Sequence, residues 1–439
     1  MSDLIKKWSK ERRNNQFPNV GRIAHFSPQA QLITLDAYTK DDLAKAMVAQ
    51  DHEKAAEIYA TIAHEITHWA DVVGTVWGQG YVKRIYSGYR TLDRRNEPGS
   101  EADFPQLIKL YDEGRRLSFP DYYRIVVDNQ PPYDPNHPWV IQFSAGLELD
   151  TDGQLNQSRP ILFVRFLDHF SQRLLLRQPI TIAALLETIA MASEYHALYS
   201  YIDGKVPEDQ KIVTKYNTRT KLLQRLYEPE LSLYSAPAHL LAHFCKIRDA
   251  IIAYKYASRI SHLCLNLTDV HFNGLQLSQP LDDWGELFPA FKAQRDRGFA
   301  FAVICSNLAP FSSELDADGW INNALSKSGL PSAEAIMEDA IDVISNNITQ
   351  SNIFAFDQTE TYMLELGFGA AKSRIKSPLF GLVQSLNTLG VVPPIVDCEG
   401  EIVDWPSNKF DFQLFDAEGM VNFDFSLEGY IKNILKGCR

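Results

Sequence analysis

Cysteine is scarce in this sequence, and what there is of it is unpaired. The five copies stand at positions 245, 264, 305, 398 and 438. The number is odd and no CxxC occurs, which excludes a disulfide framework and a cysteine zinc site. A reducing, cytoplasmic setting is the expectation. Long apolar runs are also missing. No stretch of about 18 uninterrupted apolar residues occurs, so no membrane span is expected. Residues Met1 to Arg13 are charged and lack the apolar core of a signal peptide. Glycine-rich phosphate loops are absent: Gly74, Gly78 and Gly80 follow a helical segment and carry no Lys-Ser/Thr. Serine and cysteine nucleophile motifs are absent too, and Ala302 to Ser306, around Cys305, reads as a buried strand. Positive charge is in deficit, with a formal net charge of -12. That argues against a general nucleic-acid grip. Lys6, Lys7, Lys10, Arg12 and Arg13 form a local basic exception, read as a solvated helix.

The chain that remains is an ordinary globular one, and its 439 residues allow two or three domains. The first half reads as mostly helical. Lys40 to Ala49 and Asp51 to Val73 have helical spacing, the second closed by Gly74. Residues 94–105 and Pro131 to Pro138 read as loops. Strand signals lie at Tyr122 to Val127, at Trp139 to Leu149 and at Ile161 to Leu167. The last two flank an Asp150-Thr151-Asp152-Gly153 turn and form a hairpin. Helix returns at Thr181 to Ile202 and from about Ala236 to Ser261. Residues 273–286 mark a boundary, giving domains 1–272 and 273–439. The second is a smaller α/β region, with an amphipathic segment from Ser332 to Ile344. Its Phe410 to Phe425 stretch alternates apolar and acidic residues, as edge strands or an interaction surface would. The expected class is α+β, mainly helical.

One segment carries chemistry: Ile62-Ala63-His64-Glu65-Ile66-Thr67-His68-Trp69. Residues four apart share a helix face, so His64 and His68 can grip one metal ion. Glu65, beside the first, can reach a water in the ion's open position. Ala55, Tyr59, Ile62, Ile66, Trp69 and Val73 form an apolar stripe on the other side of the helix. A core histidine would share that stripe, and these two do not. The bland alternative is a solvent-facing His-Glu-His cluster.

This HExxH segment resembles the zincin-type zinc metallopeptidases. The resemblance covers this helix and, less fully, the helix of residues 181–202. It implies one Zn²⁺ held by His64 and His68, with Glu65 as general base for hydrolysis of peptide bonds. Asp71 and Gly74 stand where the metzincin pattern needs other residues, and Trp77 fails the aspzincin pattern. The glutamate zincins remain, in which a later helix supplies an acid. Leu186-Glu187-Thr188-Ile189-Ala190 looks like that acid helix, so the resemblance implies Glu187 as third ligand within a zincin-like core. About 120 residues separate His68 from Glu187, so the hairpin is an insertion.

Other residues take supporting places. Asp71, one turn beyond His68, could orient a ligand imidazole. Glu57 could do so two turns earlier. Glu194 is the rival third ligand or an orienting acid, and Tyr195 or His196 could steady an oxyanion. His239 and His243 form a second i,i+4 pair with no acid between them, which reads as a packed core helix. A di-iron centre wants a second ExxH, and Glu194-Tyr195-His196 has the wrong spacing. The expected partner is a protein or peptide substrate. The competing class is a non-catalytic protein with a structural zinc or an interaction role.

Overall fold

The computed structural model describes residues 23–128, 130–131, 133–134, 136–149, 153–312, 314, 316–348, 353–375, 391–403 and 408–437. The basic group at residues 6–13, Asp150 to Asp152 of the expected turn, and Cys438 lie outside them. The described chain is mainly helical with two small sheets. The strands are β1 (His25–Ser27), β2 (Leu32–Thr34), β3 (Ile125–Val126), β4 (Val140–Leu149), β5 (Leu155–Leu167), β6 (Leu174–Pro179) and β7 (Ile395–Val396). The helices used below are α1 (His52–Gly74), α2 (Val76–Asp93), α3 (Ile182–Lys205), α4 (Ser232–Cys245), α5 (Ala250–Leu265), α6 (Arg297–Ser306), α7 (Asp357–Ile375) and α8 (Ala417–Gly437). No helix among the described residues is long and apolar enough to cross a membrane.

The chain forms two compact units, each drawn from separate stretches. The first takes its described residues from Met1–Leu117, Ser193–Lys211 and Ile341–Arg439. Its sheet has the order β1-β2-β7, with β2 antiparallel to β1 and parallel to β7. Helix α1 starts where the Asp51 side chain accepts the Lys54 amide, an N-cap that satisfies one of the orphan donors of the first turn. It ends where Thr75 turns extended, and the Thr75 hydroxyl then caps α2 by accepting the Gly78 amide at 3.0 Å. Gly78 is required there, because a Cβ would overlap the Val72 carbonyl. From Ile62 to Gly74 every residue of α1 is buried. Helix α7 covers one side of it so closely that a Cβ on Gly367 would overlap the Val73 carbonyl oxygen. Trp69, Tyr81, Tyr86 and Tyr89 are fully buried in this unit, and each such side chain contributes roughly 1.5–3 kcal/mol or more through area removed from water. Arg90 joins α2 to α7 by ion pairs with Asp357 and Glu360.

The second unit takes Ser118–Ala192 and Ile212–Ala340. Its sheet has the order β3-β6-β5-β4, and every pair is antiparallel. The hairpin expected between Trp139 and Leu167 is β4 and β5. Helix α4 covers one face of the sheet, where Phe143 stacks on Phe244 and Phe166 meets His239. Helices α4, α5 and α6 pack on one another. Residues 273–340 fall in this unit, and residues 341–439 fall in the unit of α1.

Four local expectations are corrected. Residues around Cys305 are helical, in α6, because Asp296 accepts the Phe299 amide and starts a helix that the short apolar run Phe299 to Cys305 could not announce by itself. The helix expected from Ala236 to Ser261 is two helices. Lys246 turns left-handed, with φ of 57°, and Asp249 caps a new start at Ala250. The first of the two absorbs Pro237. The Phe410 to Phe425 stretch forms no strand; a turn leads into α8, whose first turn donates the Gly419 amide to Asp416. Of Tyr122 to Val127, only Ile125 and Val126 pair as strand.

Candidate metal centre

Within the first unit, helix α1 meets the part of helix α3 from Ser193 onward. Ala55 and Ala56 pack with Tyr201, Ile202 and Val206, and nine residues further along α1 the His64 Nδ1 lies 3.1 Å from Glu194 Oε2. The two helices therefore run antiparallel. Helix α3 is continuous from Ile182 to Lys205, so Glu187 lies two turns before Glu194 on the same face. Continuing the pairing brings it toward His68. The ligand atoms of His64, His68 and Glu187 all lie within 4.8 Å of one another, and this is the one His/Cys/Asp/Glu group of three or more that could hold a metal ion among the described residues.

The donor geometry fits a metal. His64 Nε2 and His68 Nε2 are 3.1 Å apart. A tetrahedral ion with bonds of about 2.0–2.1 Å holds two nitrogens about 3.3 Å apart. An ionised Glu194 carboxylate only accepts hydrogen bonds, so a neutral His64 beside it carries its proton on Nδ1 and keeps the Nε2 lone pair toward His68. Two imidazoles and a carboxylate are a donor set of catalytic zinc sites. His64 is 8% exposed, Glu65 6%, His68 2% and Glu187 1%. The solvent-facing reading of the cluster does not hold.

The remaining candidates have other neighbours. Asp71, completely buried, forms an ion pair with Arg374 of α7 at 2.7 Å. Glu57 accepts a hydrogen bond from the Tyr38 hydroxyl at 3.2 Å. Tyr195 is buried and His196 half-buried. At about 100° per residue, Tyr195 projects from the flank of the Glu187 face, and His196 projects from the far side of α3. His239 is a satisfied core histidine. Its Nε2 donates to the Leu226 carbonyl at 2.8 Å, and Trp139, Phe166 and Tyr227 surround its ring. Burial holds its pKa down at about 4. His243 is also lowered, by burial and then by the Lys246 charge. Arg374 escaped the sequence reading, because 303 positions separate it from Asp71 and no local pattern marks it.

The chain matches no protein-family model, no curated protein and no solved structure.

Proposed function

We propose that this protein is a zinc-dependent hydrolase with a zincin-like core, acting on peptide bonds of protein or peptide substrates. The observation that carries the reading is the convergence of His64, His68 and Glu187, donors from two helices more than 100 positions apart, on a space the size of one ion. A bound Zn²⁺ would supply Lewis acidity toward a carbonyl and an acidified water. His64 and His68 would hold it through Nε2, and Glu187 through a carboxylate oxygen. Glu194 would keep His64 in the tautomer that ligation needs, its oxygen accepting a hydrogen bond from Nδ1–H. Glu65, adjacent to His64 on α1 and nearly buried, would accept a proton from a water and pass it to the leaving amine. The free thiols of Cys245, Cys264 and Cys305 support the cytoplasmic placement.

One observation favours a second reading. All three ligands are at least nine-tenths buried, as in a closed structural site, and a structural zinc with no turnover would use the same donors. The Glu65→Gln variant separates the two. For the hydrolase, purified wild type carries one zinc per chain and cleaves peptides in a lysate followed by mass spectrometry, and Glu65→Gln keeps the zinc and loses the cleavage. Equal cleavage products from both proteins would sink the hydrolase reading.

A further inference from the structure

Two arginines that play no part in the metal chemistry face each other on the sheet of the second unit. Arg165 of β5 stands directly opposite Arg177 of β6, and Gln142 of β4 stands opposite Arg165 on its other side. Directly paired residues project from the same face of a sheet, with Cβ atoms about 4.5–5.5 Å apart, and like charges so placed are destabilising. Among the described residues, neither arginine has a carboxylate within ion-pair distance. The groups that touch Arg177 are neutral. The Arg177 guanidinium lies 4.4 Å from the centroid of the Phe163 ring, and its Nη2 donates to the Tyr123 carbonyl at 3.3 Å.

Hydrogen-bonding capacity is left over on this face. Arg177 Nε is buried without a partner. Ser144 stands opposite Phe163 in the register, which puts it on the face of the two arginines, and its Oγ is buried without a partner as well. Burial, and after it the charge of Arg165, lowers the Arg177 pKa, so the pair is held together against its own repulsion. Both arginines are half-buried, which leaves them within reach of a small solute. Helix α4 occupies the opposite face of the sheet.

The geometry points to a binding site for a phosphate dianion on this face, taken up free or as the monoester group of a small molecule, with Arg165 and Arg177 as the charged clamp and Ser144 and Gln142 as neutral donors. Two planar guanidinium forks present paired N–H groups to tetrahedral oxyanions, and a dianion cancels both charges where a monocarboxylate cancels one. The site rests on residues of the second unit alone and stands independently of the hydrolase reading.

The test is thermal unfolding and titration calorimetry of the full chain with inorganic phosphate, glycerol phosphate and acetate, against chloride at matched ionic strength. Phosphate raises the melting temperature of wild type above the chloride value, and acetate does not. Arg165→Gln, which removes the repulsion, melts higher than wild type in chloride, loses the phosphate increment and binds phosphate about tenfold or more weakly. Ser144→Ala weakens binding less. An increment from glycerol phosphate equal to or larger than that from phosphate assigns the site to monoesters, and a smaller one assigns it to the free ion. No increment over chloride in wild type, or an undiminished increment in Arg165→Gln, overturns the site. Glu65→Gln binds phosphate as wild type does, so failure of one proposal does not decide the other.

Discussion

Two pairs of histidines with identical i,i+4 spacing, one pair buried and the other only partly so, meet different fates in this molecule. His64 and His68 turn their Nε2 atoms toward each other at 3.1 Å, with a carboxylate on the outer nitrogen of the first and Glu187 close by. His239 turns its Nε2 to a backbone carbonyl and fills the rest of its surroundings with aromatic rings. The spacing therefore makes a metal site possible and does not make one. The difference lies in the acids. A buried imidazole pair needs a charged or polar reason to keep its lone pairs unspent, and Glu194 and Glu187 stand beside the pair on α1. At His239 the donor proton is satisfied locally and the ring behaves as core.

Four measurements break or sharpen that contrast. The largest effect is expected from His68→Ala set against His239→Ala, each checked for folding by circular dichroism. Zinc affinity falls in the first by more than the roughly 100-fold that bounds losses from outer partners, and stays at the wild-type value in the second. Equal zinc content in both variants would erase the distinction.

Next comes pH. His239 is neutral when folded, with its pKa lowered from 6.5 to about 4 by burial. Protonation then favours the unfolded chain. Its contribution to stability is intact above about 6.5, falls as the pH drops through that value, and is fully lost below about 4. The gap corresponds to about 3 kcal/mol. Stability of the wild type measured by denaturant titration between pH 7 and pH 4 falls by an amount of that order more than stability of His239→Gln. Parallel curves for the two proteins would remove His239 as the cause.

Glu194→Gln is the third. The amide cannot hold the His64 Nδ1 proton as a carboxylate does, so zinc affinity falls by about 10–100-fold with the fold retained. An unchanged affinity in a metal-buffer titration would show that the 3.1 Å contact does not tune the site. The smallest effect belongs to His243→Ala. This ring is half-buried beside Phe244, and its removal changes stability by about 1 kcal/mol or less with zinc content unaltered.

Much of the candidate cluster was legible because it is local. HExxH occupies one turn of one helix, and the helical spacing from Asp51 to Val73 marks that helix. Glu187 was legible as an isolated acid on an apolar helix, since a buried carboxylate needs a partner. The hairpin of β4 and β5 was legible from alternation and a turn. The errors share a different cause. The apolar run Phe299 to Cys305 suits a strand or a helix equally well, and the Asp296 cap decides between them. Lys246 gave no sign that it would turn left-handed and split a long helical pattern. The alternation of Phe410 to Phe425 resembles a strand only while the Asp416 cap is overlooked.

By itself the sequence determined the residue types of the site and the helix faces they share, because 3.6 residues per turn is a property of every helix. Tertiary structure alone decided which faces meet. It set Glu194 and Glu187 rather than any other acids along α1, gave Asp71 to Arg374 from 303 positions away, and placed Arg165 against Arg177 in a strand register that a shift of one residue would have undone. The reason is physical. Periodicity and caps are settled within a turn or two of chain, whereas helix crossings and strand registers follow from the packing of whole surfaces, such as the close approach at Gly367 that seats α7 on α1.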